Sequence, residues 1–367
     1  MTTLTRADLD GLPAYVPGRS NPDAIKLSSN EVPFGPLPGV VEAVTAAAAG
    51  VHRYPDMGVV ALRTTIADRL GVDPDRVATG CGSVALAEHL VRATCLPGDE
   101  IVYSWRSFEA YPIIAATAAA ASVRVPNTVV HGHDLTAMAA AIGPRTRLVL
   151  VCNPNNPTGT SVRSAELTAF LDAVPEHVLV VLDEAYREFV TDPDVPDGLA
   201  SFGDRPNVAV LRTFSKAYGL AGLRVGYLVA APAVAAAVRK VITPFSTSSA
   251  AQAAALAALA AEAEMLRRVA MVTGERDRLT AEVRKLLPDV PDSQANFVWL
   301  PLGGQAAAAT AACERDGVLV RGFAGDGVRV TVGTPAENDA FLAALTSWVD
   351  TGGVGGQTPT RSTGLGV

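Results

Sequence analysis

The chain has 367 residues, of which 49% are hydrophobic and 18% are charged, and its formal net charge at pH 7 is −7. A chain of this length and composition can bury a large core, and its length favours two domains over one. Because acidic residues outnumber basic ones, nucleic acids and anionic membranes are excluded as preferred partners, and we expect a small-molecule ligand.

The cysteines and the first residues of the chain indicate the cellular compartment in which the protein is expected. Residues 1–10 contain no apolar run, so we expect neither a signal peptide nor a membrane anchor there. The cysteines are far apart and include no C-x-x-C pair, which favours free thiols in a reducing compartment. They are Cys81, Cys95, Cys152 and Cys313. The expected location is the cytoplasm.

The first two thirds of the chain alternate between apolar runs and alanine-rich stretches. Residues 1–34 are rich in proline and are predicted to form an extended arm associated with the second domain. A mainly parallel sheet covered by helices, and hence an α/β fold, is predicted for a large domain at 35–245. Its predicted strands are Arg76–Thr79, Ile101–Tyr103, Ser122–Val125, Leu148–Cys152, Val178–Asp183 and Val208–Thr213.

The pattern changes near Ser246. A long helix is predicted from Ser249 to Leu287, and three short strands follow it. This pattern predicts a smaller α+β domain at 246–350. Residues 351–367 are rich in Gly, Thr and Ser and are predicted to be a disordered tail. The three strands are Asn296–Leu300, Gly317–Arg321 and Val328–Val332.

Polar residues directly after a strand carry the most weight, because open α/β sheets bind ligands beyond the carboxyl ends of their strands. The first such segment, Thr79 to Ala85, contains Gly80 and Gly82 and offers backbone amides to an anion at the start of a helix. Its Gly-x-Gly-x-x-Ala spacing also fits a dinucleotide fingerprint. A nicotinamide oxidoreductase is therefore an open alternative.

Two further loops follow apolar strands. Residues 153–159, which include Asn156, have the Asn, Pro and Gly density of a turn. Asp183 ends its strand, where it could cap the next helix or face a ligand, and Tyr186 follows three residues later.

The segment from Arg212 to Gly226 is the most specific in the sequence. Thr213, Ser215 and Arg224 supply the donors that a phosphate monoester requires. Beside them stands Lys216, whose amine can form a Schiff base. The segment therefore predicts a phosphorylated carbonyl cofactor.

Together these segments resemble the fold type I pyridoxal-phosphate-dependent aminotransferases of class I and II, in the expected order from Lys26 to Thr334. The resemblance implies that Lys216 is the catalytic base and the Schiff-base anchor of pyridoxal 5′-phosphate. It also implies that Asp183 faces the pyridine nitrogen, and that Asn156 and Tyr186 contact the ring 3-oxygen.

The same resemblance assigns residues to the cofactor's phosphate and ring. The backbone amides of Ser83 and Val84 would hold the phosphate, although family members often carry Asp-Glu where this chain has Val84-Ala85. The ring of Phe108 would stack on the pyridine. Tyr54 resembles a tyrosine that reaches the phosphate in the neighbouring subunit, which implies a homodimer with shared sites. The side chains expected on the phosphate are Thr213, Ser215 and Arg224.

The substrate residues follow from the histidinol-phosphate aminotransferase subgroup, which the segments Lys26–Pro36 and Val328–Thr334 resemble. The planar guanidinium of Arg329 would grip the substrate α-carboxylate. The other predicted substrate-binding residues are Asn30, Tyr15 and Phe323.

The stretch from Val320 to Arg329 is shorter than the usual histidinol-phosphate pattern and resembles the aromatic aminotransferase branch. We therefore predict amino transfer between a phenylalanine- or tyrosine-class amino acid and 2-oxoglutarate. Histidinol-phosphate aminotransferase is the alternative, and a decarboxylase on the same scaffold is another. His131 and His133 have no third ligand nearby in the sequence, so no metal is predicted.

Overall fold

The computed structural model describes residues 4–6, 9, 11–12 and 21–353. Tyr15 lies outside the described residues, as do most of the predicted arm before residue 21 and residues 354–367 of the predicted tail. Within the described part, no helix is both long enough and apolar enough to cross a membrane.

The described residues form eleven β-strands, which divide into two sheets. In chain order they are β1 (Ile25–Leu27), β2 (Val77–Gly80), β3 (Glu100–Trp105), β4 (Ala121–Pro126), β5 (Thr146–Cys152), β6 (Leu179–Asp183), β7 (Val208–Thr213), β8 (Gly226–Val229), β9 (Phe297–Leu300), β10 (Val318–Phe323) and β11 (Gly327–Thr331).

Twelve α-helices accompany these strands in the described part of the chain. They are α1 (Val40–Ala48), α2 (Val60–Leu70), α3 (Ser83–Thr94), α4 (Tyr111–Thr117), α5 (Leu135–Ala140), α6 (Ser164–Ala173), α7 (Gly198–Phe202), α8 (Pro232–Val241), α9 (Ser249–Ala260), α10 (Glu262–Leu286), α11 (Ala306–Arg315) and α12 (Pro335–Asp350).

The larger sheet has seven strands in the order β2-β8-β7-β6-β5-β3-β4. Strand β8 runs antiparallel to both of its neighbours, and the pairs from β7 to β4 are parallel. Every residue of β6 and β7 is buried, because helices cover both faces of the sheet. The parallel strands therefore end at one shared edge, where the polar residues of the sequence motifs collect.

The smaller sheet has four strands in the order β1-β10-β11-β9. Strand β1 pairs in parallel with β10, so a piece of the N-terminal segment joins a sheet built otherwise from the last third of the chain. Strands β10, β11 and β9 pair in antiparallel fashion. The division into an arm, a large domain and a small domain stays a prediction, which this separation into two sheets supports.

The prediction of one long helix from Ser249 to Leu287 is wrong in one respect, because this segment forms two helices, α9 and α10. The chain turns at Ala261, where φ is −95° and ψ is 23°, between α9 and α10. Helix α9 buries small side chains such as Ala254 and Ala258 and packs against α1, whereas α10 packs against α12 and β9. The two helices thus pack on different elements, and no glycine or proline marks the turn between them in the sequence.

Strand β8 is absent from the sequence prediction. Its four buried residues merge into the apolar stretch that continues through α8, and no polar residue separates the two elements. A run this short is ambiguous between strand and buried helix when only its periodicity is considered.

Candidate active site

A cavity of about 230 Å³ lies at the carboxyl edge of the parallel strands, where the larger sheet faces the smaller one. Both sheets contribute to its wall. The lining residues are Ser28, Ser29, Asn30, Ser83, Val84, Phe108, Cys152, Asn156, Asp183, Ala185, Tyr186, Thr213, Ser215, Lys216, Ala221, Arg224, Arg321 and Arg329. Most residues that the sequence motifs singled out therefore come together in one place.

Lys216 lies in the loop that follows β7. Its neighbours Phe214, Ala217 and Leu220 are buried in the apolar core, which fixes the backbone on both sides of the lysine. The ammonium donates one long hydrogen bond, 3.3 Å, to the carbonyl oxygen of Ser29. Burial, together with the positive charge of Arg329, lowers the pKa of Lys216 to about 7. A large fraction of the amine is therefore neutral at pH 7.

Asp183 is buried at the end of β6. Its Oδ2 accepts a hydrogen bond of 2.8 Å from the hydroxyl of Tyr111, while its buried Oδ1 has no hydrogen-bond partner among the described residues. Burial raises the pKa of Asp183 to about 6, against the opposing effect of the Tyr111 hydrogen bond. One carboxylate oxygen is thus left for a donor that enters the cavity.

One end of the cavity is built for an anion. Helix α3 begins at Ser83, directly after Gly82, whose φ of 84° suits glycine, and no side chain caps the first turn. A Cβ on Gly82 would lie 2.6 Å from Nη2 of Arg224, and a Cβ on Gly226 would lie 2.6 Å from the Ser83 nitrogen. Both glycines are therefore required for the close approach of Arg224 and β8 to the helix terminus.

The hydroxyls beside this helix terminus complete the anion site. Arg224 has a left-handed φ of 56°, and its Nη1 donates to Ser215 Oγ at 3.3 Å. The Thr213 hydroxyl oxygen accepts a hydrogen bond of 3.1 Å from the Ser215 backbone. Uncapped amides, a guanidinium and two hydroxyls form a donor set that suits a phosphate dianion.

Arg329 lies on β11 of the smaller sheet and lines the cavity. Its Nη1 donates to Asn156 Oδ1 and its Nη2 to the carbonyl oxygen of Ser28, both at 2.6 Å. These bonds connect the smaller sheet, the segment after β1 and the loop after β5. They also fix the plane of the guanidinium, which is the group best suited to a carboxylate.

Asn30 and Tyr186 are hydrogen-bonded to each other. Asn30 has a left-handed φ of 55°, and its Nδ2 donates to the Tyr186 hydroxyl at 2.8 Å. The backbone of Asn30 donates to Thr331 Oγ1 at 2.9 Å, and its carbonyl accepts from Asn296. The smaller sheet thus holds Asn30 in a conformation that asparagine tolerates better than most residues.

The aromatic residues predicted to contact the cofactor or the substrate differ in their position relative to the cavity. Phe108 lines the cavity and packs edge-to-face on Tyr111. Phe323 is buried and does not line the cavity, and its ring lies 5.8 Å from the guanidinium carbon of Arg329. Tyr54 is 81% exposed and stacks on Phe245, outside the cavity of its own chain.

The sequence did not single out Arg321 or Tyr111. Arg321 on β10 lines the cavity and forms an ion pair with Glu109 at 2.9 Å. Tyr111 is the donor to Asp183 described above. Tyr111 stands in an aromatic-rich segment, which was the one visible signal. For Arg321 the sequence offered only its position on a predicted strand.

His131 and His133, the two histidines considered as metal ligands, each contact other parts of the protein. His133 Nε2 lies 2.7 Å from the carbonyl oxygen of Cys152, and the ring of His131 packs edge-to-face near Trp299. In the part of the chain that the structure describes, no group of three His, Cys, Asp or Glu side chains is arranged to hold a metal ion.

Residues 22–345 match the family model described as aminotransferase class I and II. The chain belongs to this family. It is 57% identical over 347 residues to an aromatic amino acid aminotransferase of Rhodococcus jostii, covering 95% of this chain and 96% of that protein. It is 58% identical to one of Streptomyces avermitilis, over 92% and 95% of the two chains.

Among solved structures, the histidinol-phosphate aminotransferase of Sinorhizobium meliloti in complex with pyridoxal 5′-phosphate superposes with a TM-score of 0.85 at 31% identity, covering 96% of this chain and 99% of the other. An aspartate aminotransferase variant of Thermus thermophilus superposes with a TM-score of 0.80 at 22% identity, which shows the shared fold. The predicted family and fold class are confirmed.

The enzyme is a transaminase that uses pyridoxal 5′-phosphate and acts on amino acids and oxo acids. Its cavity fits this cofactor. Asp183 Oδ1, which has no partner among the described residues, would accept from a protonated ring nitrogen, and the amides of α3 with Arg224 would hold the phosphate. The nicotinamide interpretation of Gly80 and Gly82 is thereby replaced, since this turn packs against Arg224 at the phosphate end.

Proposed function

We propose that this enzyme transfers the amino group of an aromatic L-amino acid, of the phenylalanine and tyrosine class, to 2-oxoglutarate. The observation that carries the substrate class is the 57% and 58% identity, over nearly the whole chain, to proteins named aromatic amino acid aminotransferase. The structural neighbour named for histidinol phosphate is only 31% identical.

In this proposal Lys216 is the base. Its neutral amine takes the proton from the substrate Cα, and its lowered pKa makes the neutral form available near pH 7. When bound, pyridoxal 5′-phosphate supplies a conjugated ring that takes up the electron pair left at Cα. Asp183, as a carboxylate, would keep the ring nitrogen protonated, and Asn156 and Tyr186 would contact the ring 3-oxygen.

Arg329 binds the substrate α-carboxylate in this scheme. Its guanidinium is oriented by Asn156 and by the Ser28 carbonyl, so its direction is set before the substrate arrives. Asn30 supports the same wall through Tyr186. Tyr15 and Phe323 stay predictions as pocket residues.

The charge at the mouth of the cavity supports a neutral substrate side chain. Three arginines line the cavity: Arg224 at the anion site, Arg329, and Arg321, whose charge Glu109 balances at 2.9 Å. Phe108 adds an apolar ring to the same wall. A guanidinium in the wall besides those of Arg224 and Arg329 is also the observation that favours the second candidate, histidinol phosphate, because Arg321 would suit a phosphate if it left Glu109.

We also propose a homodimer in which Tyr54 contacts the cofactor's phosphate in the partner's site, and a cytoplasmic location. The ring of Tyr54 is 81% exposed although it is aromatic, and its neighbours Met57 and Val60 are each 58% exposed. An exposed apolar patch of this kind commonly marks a protein interface. The four cysteines are free thiols, which agrees with a reducing compartment.

A panel of amino donors against 2-oxoglutarate tests the proposed substrate class. We expect phenylalanine and tyrosine to be used with kcat/KM at least about tenfold above that of histidinol phosphate, a difference of about 1.4 kcal/mol in transition-state binding. Assaying released carbon dioxide in the same reactions separates transamination from decarboxylation. Preference for histidinol phosphate would reject the aromatic assignment and favour the second candidate.

A further inference from the structure

Tyr111, the first residue of α4, is buried and reaches the floor of the active site. Its hydroxyl donates to Asp183 Oδ2 at 2.8 Å, across 72 positions of sequence. The direction of this bond is fixed, since the ionised carboxylate has no proton to give. The other oxygen of the carboxylate, Oδ1, is the one without a partner in the described part of the chain.

The position of the Tyr111 ring is determined by packing. It makes edge-to-face contacts with Tyr103, at 5.6 Å between centroids, and with Phe108, at 5.5 Å. Phe108 lines the cavity and is the residue expected to stack on the cofactor ring. Tyr111 therefore contacts both Phe108 and Asp183, which are the residues that would hold the face and the nitrogen of the cofactor ring.

We propose that Tyr111 is a positioning residue for the cofactor, whose hydroxyl orients the Asp183 carboxylate so that Oδ1 meets the ring nitrogen, and whose ring supports Phe108. The inference rests on the proposed role of Asp183, and it is independent of the amino donor. Tyr111 itself touches neither substrate nor cofactor in this scheme, so all of its effect passes through its two neighbours.

The Tyr111 hydrogen bond also keeps the carboxylate charged. Burial raises the pKa of Asp183 to about 6, and the bonds from Tyr111 and from the Ala185 backbone oppose that rise. Cys152 and Tyr186 line the same cavity, and burial raises the pKa of both, so they are neutral at pH 7. Lys216 also lines the cavity and its pKa is lowered to about 7, so the variant is compared with the wild type at each pH. Without the Tyr111 hydroxyl the pKa of Asp183 rises further, and the carboxylate becomes protonated at a higher pH.

Tyr111→Phe tests the proposal, because it removes one oxygen and keeps the ring. We expect the apoprotein to bind pyridoxal 5′-phosphate about tenfold more weakly at pH 7, as for a lost hydrogen bond to a charged group. The deficit should grow as the pH falls towards 6 and shrink at pH 9. The measurements are a fluorescence titration of the apoprotein at each pH, and the pH dependence of the visible absorbance of the loaded enzyme.

Tyr103→Phe is the matched control. Tyr103 is equally buried in the same aromatic group, but its hydroxyl accepts a bond of 3.3 Å from Arg124 and has no contact with Asp183. Its cofactor affinity should stay within about twofold of the wild type, because the bond that is lost is a long one to Arg124 and does not involve Asp183. Equal affinities for the two variants would overturn the proposal.

A double-mutant cycle shows whether Tyr111 acts through Asp183. In an Asp183→Asn background, Tyr111→Phe should have little further effect on cofactor affinity, because no carboxylate remains to be oriented. A full second loss would mean that Tyr111 acts by another route and would overturn the proposal. If Tyr111→Phe folds only in the Asp183→Asn background, the coupling between Tyr111 and Asp183 is supported. If it folds in neither background, Tyr111 serves only to pack the core, and the proposal is overturned. Full cofactor affinity in Asp183→Asn by itself would instead reject the role of Asp183.

Discussion

Two polar clusters occupy opposite sides of the same pair of strands, and they differ in how completely their charges are paired. Asp183 and Glu184 are neighbours at the end of β6, as are Arg212 and Thr213 at the end of β7. Since successive side chains in a strand point to opposite faces, one residue of each pair faces the cavity and the other faces away from it.

On the side away from the cavity Arg212 is paired with two carboxylates, Glu184 and Asp197. Arg212 donates to Glu184 Oε2 at 2.7 and 3.0 Å and to Asp197 Oδ1 at 2.8 Å, and Glu184 Oε1 accepts from the Gly198 backbone at 2.6 Å. On the cavity side Asp183 Oδ1 has no partner in the described chain, and Lys216 has one bond of 3.3 Å. The first cluster stabilises the fold, whereas the second leaves its polar atoms available to a ligand.

The largest effect on activity is expected from Lys216→Ala, which removes the base from the incompletely paired cluster. Turnover should fall by at least about a thousandfold, the upper range for loss of a positioned acid-base group. The free energy of unfolding of the apoprotein should not fall, because a buried amine with one weak bond is removed. Steady-state kinetics and urea unfolding measure the two quantities, with the exposed Lys240→Ala as control. Retained turnover would show that another lysine is the base.

Arg212→Met should have the opposite profile, with its main effect on stability. It leaves Glu184 buried without its ion-pair partner, which typically costs about 3–5 kcal/mol in the free energy of unfolding. Arg145→Met is the matched control, since Arg145 forms an ion pair with Glu100 but its side chain is 72% exposed, and it should cost at most about 1 kcal/mol. Urea unfolding of the three apoproteins gives the comparison. Equal stabilities for the two variants would remove the distinction between the clusters.

The sequence predicts the cluster that faces the cavity, around Lys216 and Asp183, better than it predicts the ion-pair cluster around Arg212. Lys216, Asp183 and Asn156 each follow an apolar run, and the parallel arrangement of those runs brings their ends to one edge. The spacing around Lys216 and the order of the segments identified the family, which is confirmed. Such local patterns can be recognised in the sequence because the position of each residue depends on the strand directly before it.

Contacts between distant segments could not be predicted in the same way. Tyr111 reaches Asp183 only because β3 and β6 lie on either side of β5, and nothing near Tyr111 in the sequence encodes that order. The pairing of Arg321 with Glu109 depends likewise on how the smaller sheet packs over the larger one. The turn at Ala261 has the same origin, since it follows from what each helix packs against.

The smallest expected effect is a shift in the pKa of Lys216 when the negative charge of Glu31 is removed. The amine is reactive when neutral, so the rate at which the apoprotein captures pyridoxal 5′-phosphate should rise with pH and reach half of its maximum near the pKa of about 7. The negative charge of Glu31 raises that pKa, so Glu31→Gln should move the midpoint to lower pH by a fraction of a unit. Glu282→Gln, on an exposed ion pair with Lys285, changes the net charge equally and should leave the midpoint in place. A midpoint near 10 in the wild type would mean that Lys216 keeps its ordinary pKa. The contrast between the paired Arg212 cluster and the poorly paired Lys216 cluster would then have no chemical consequence.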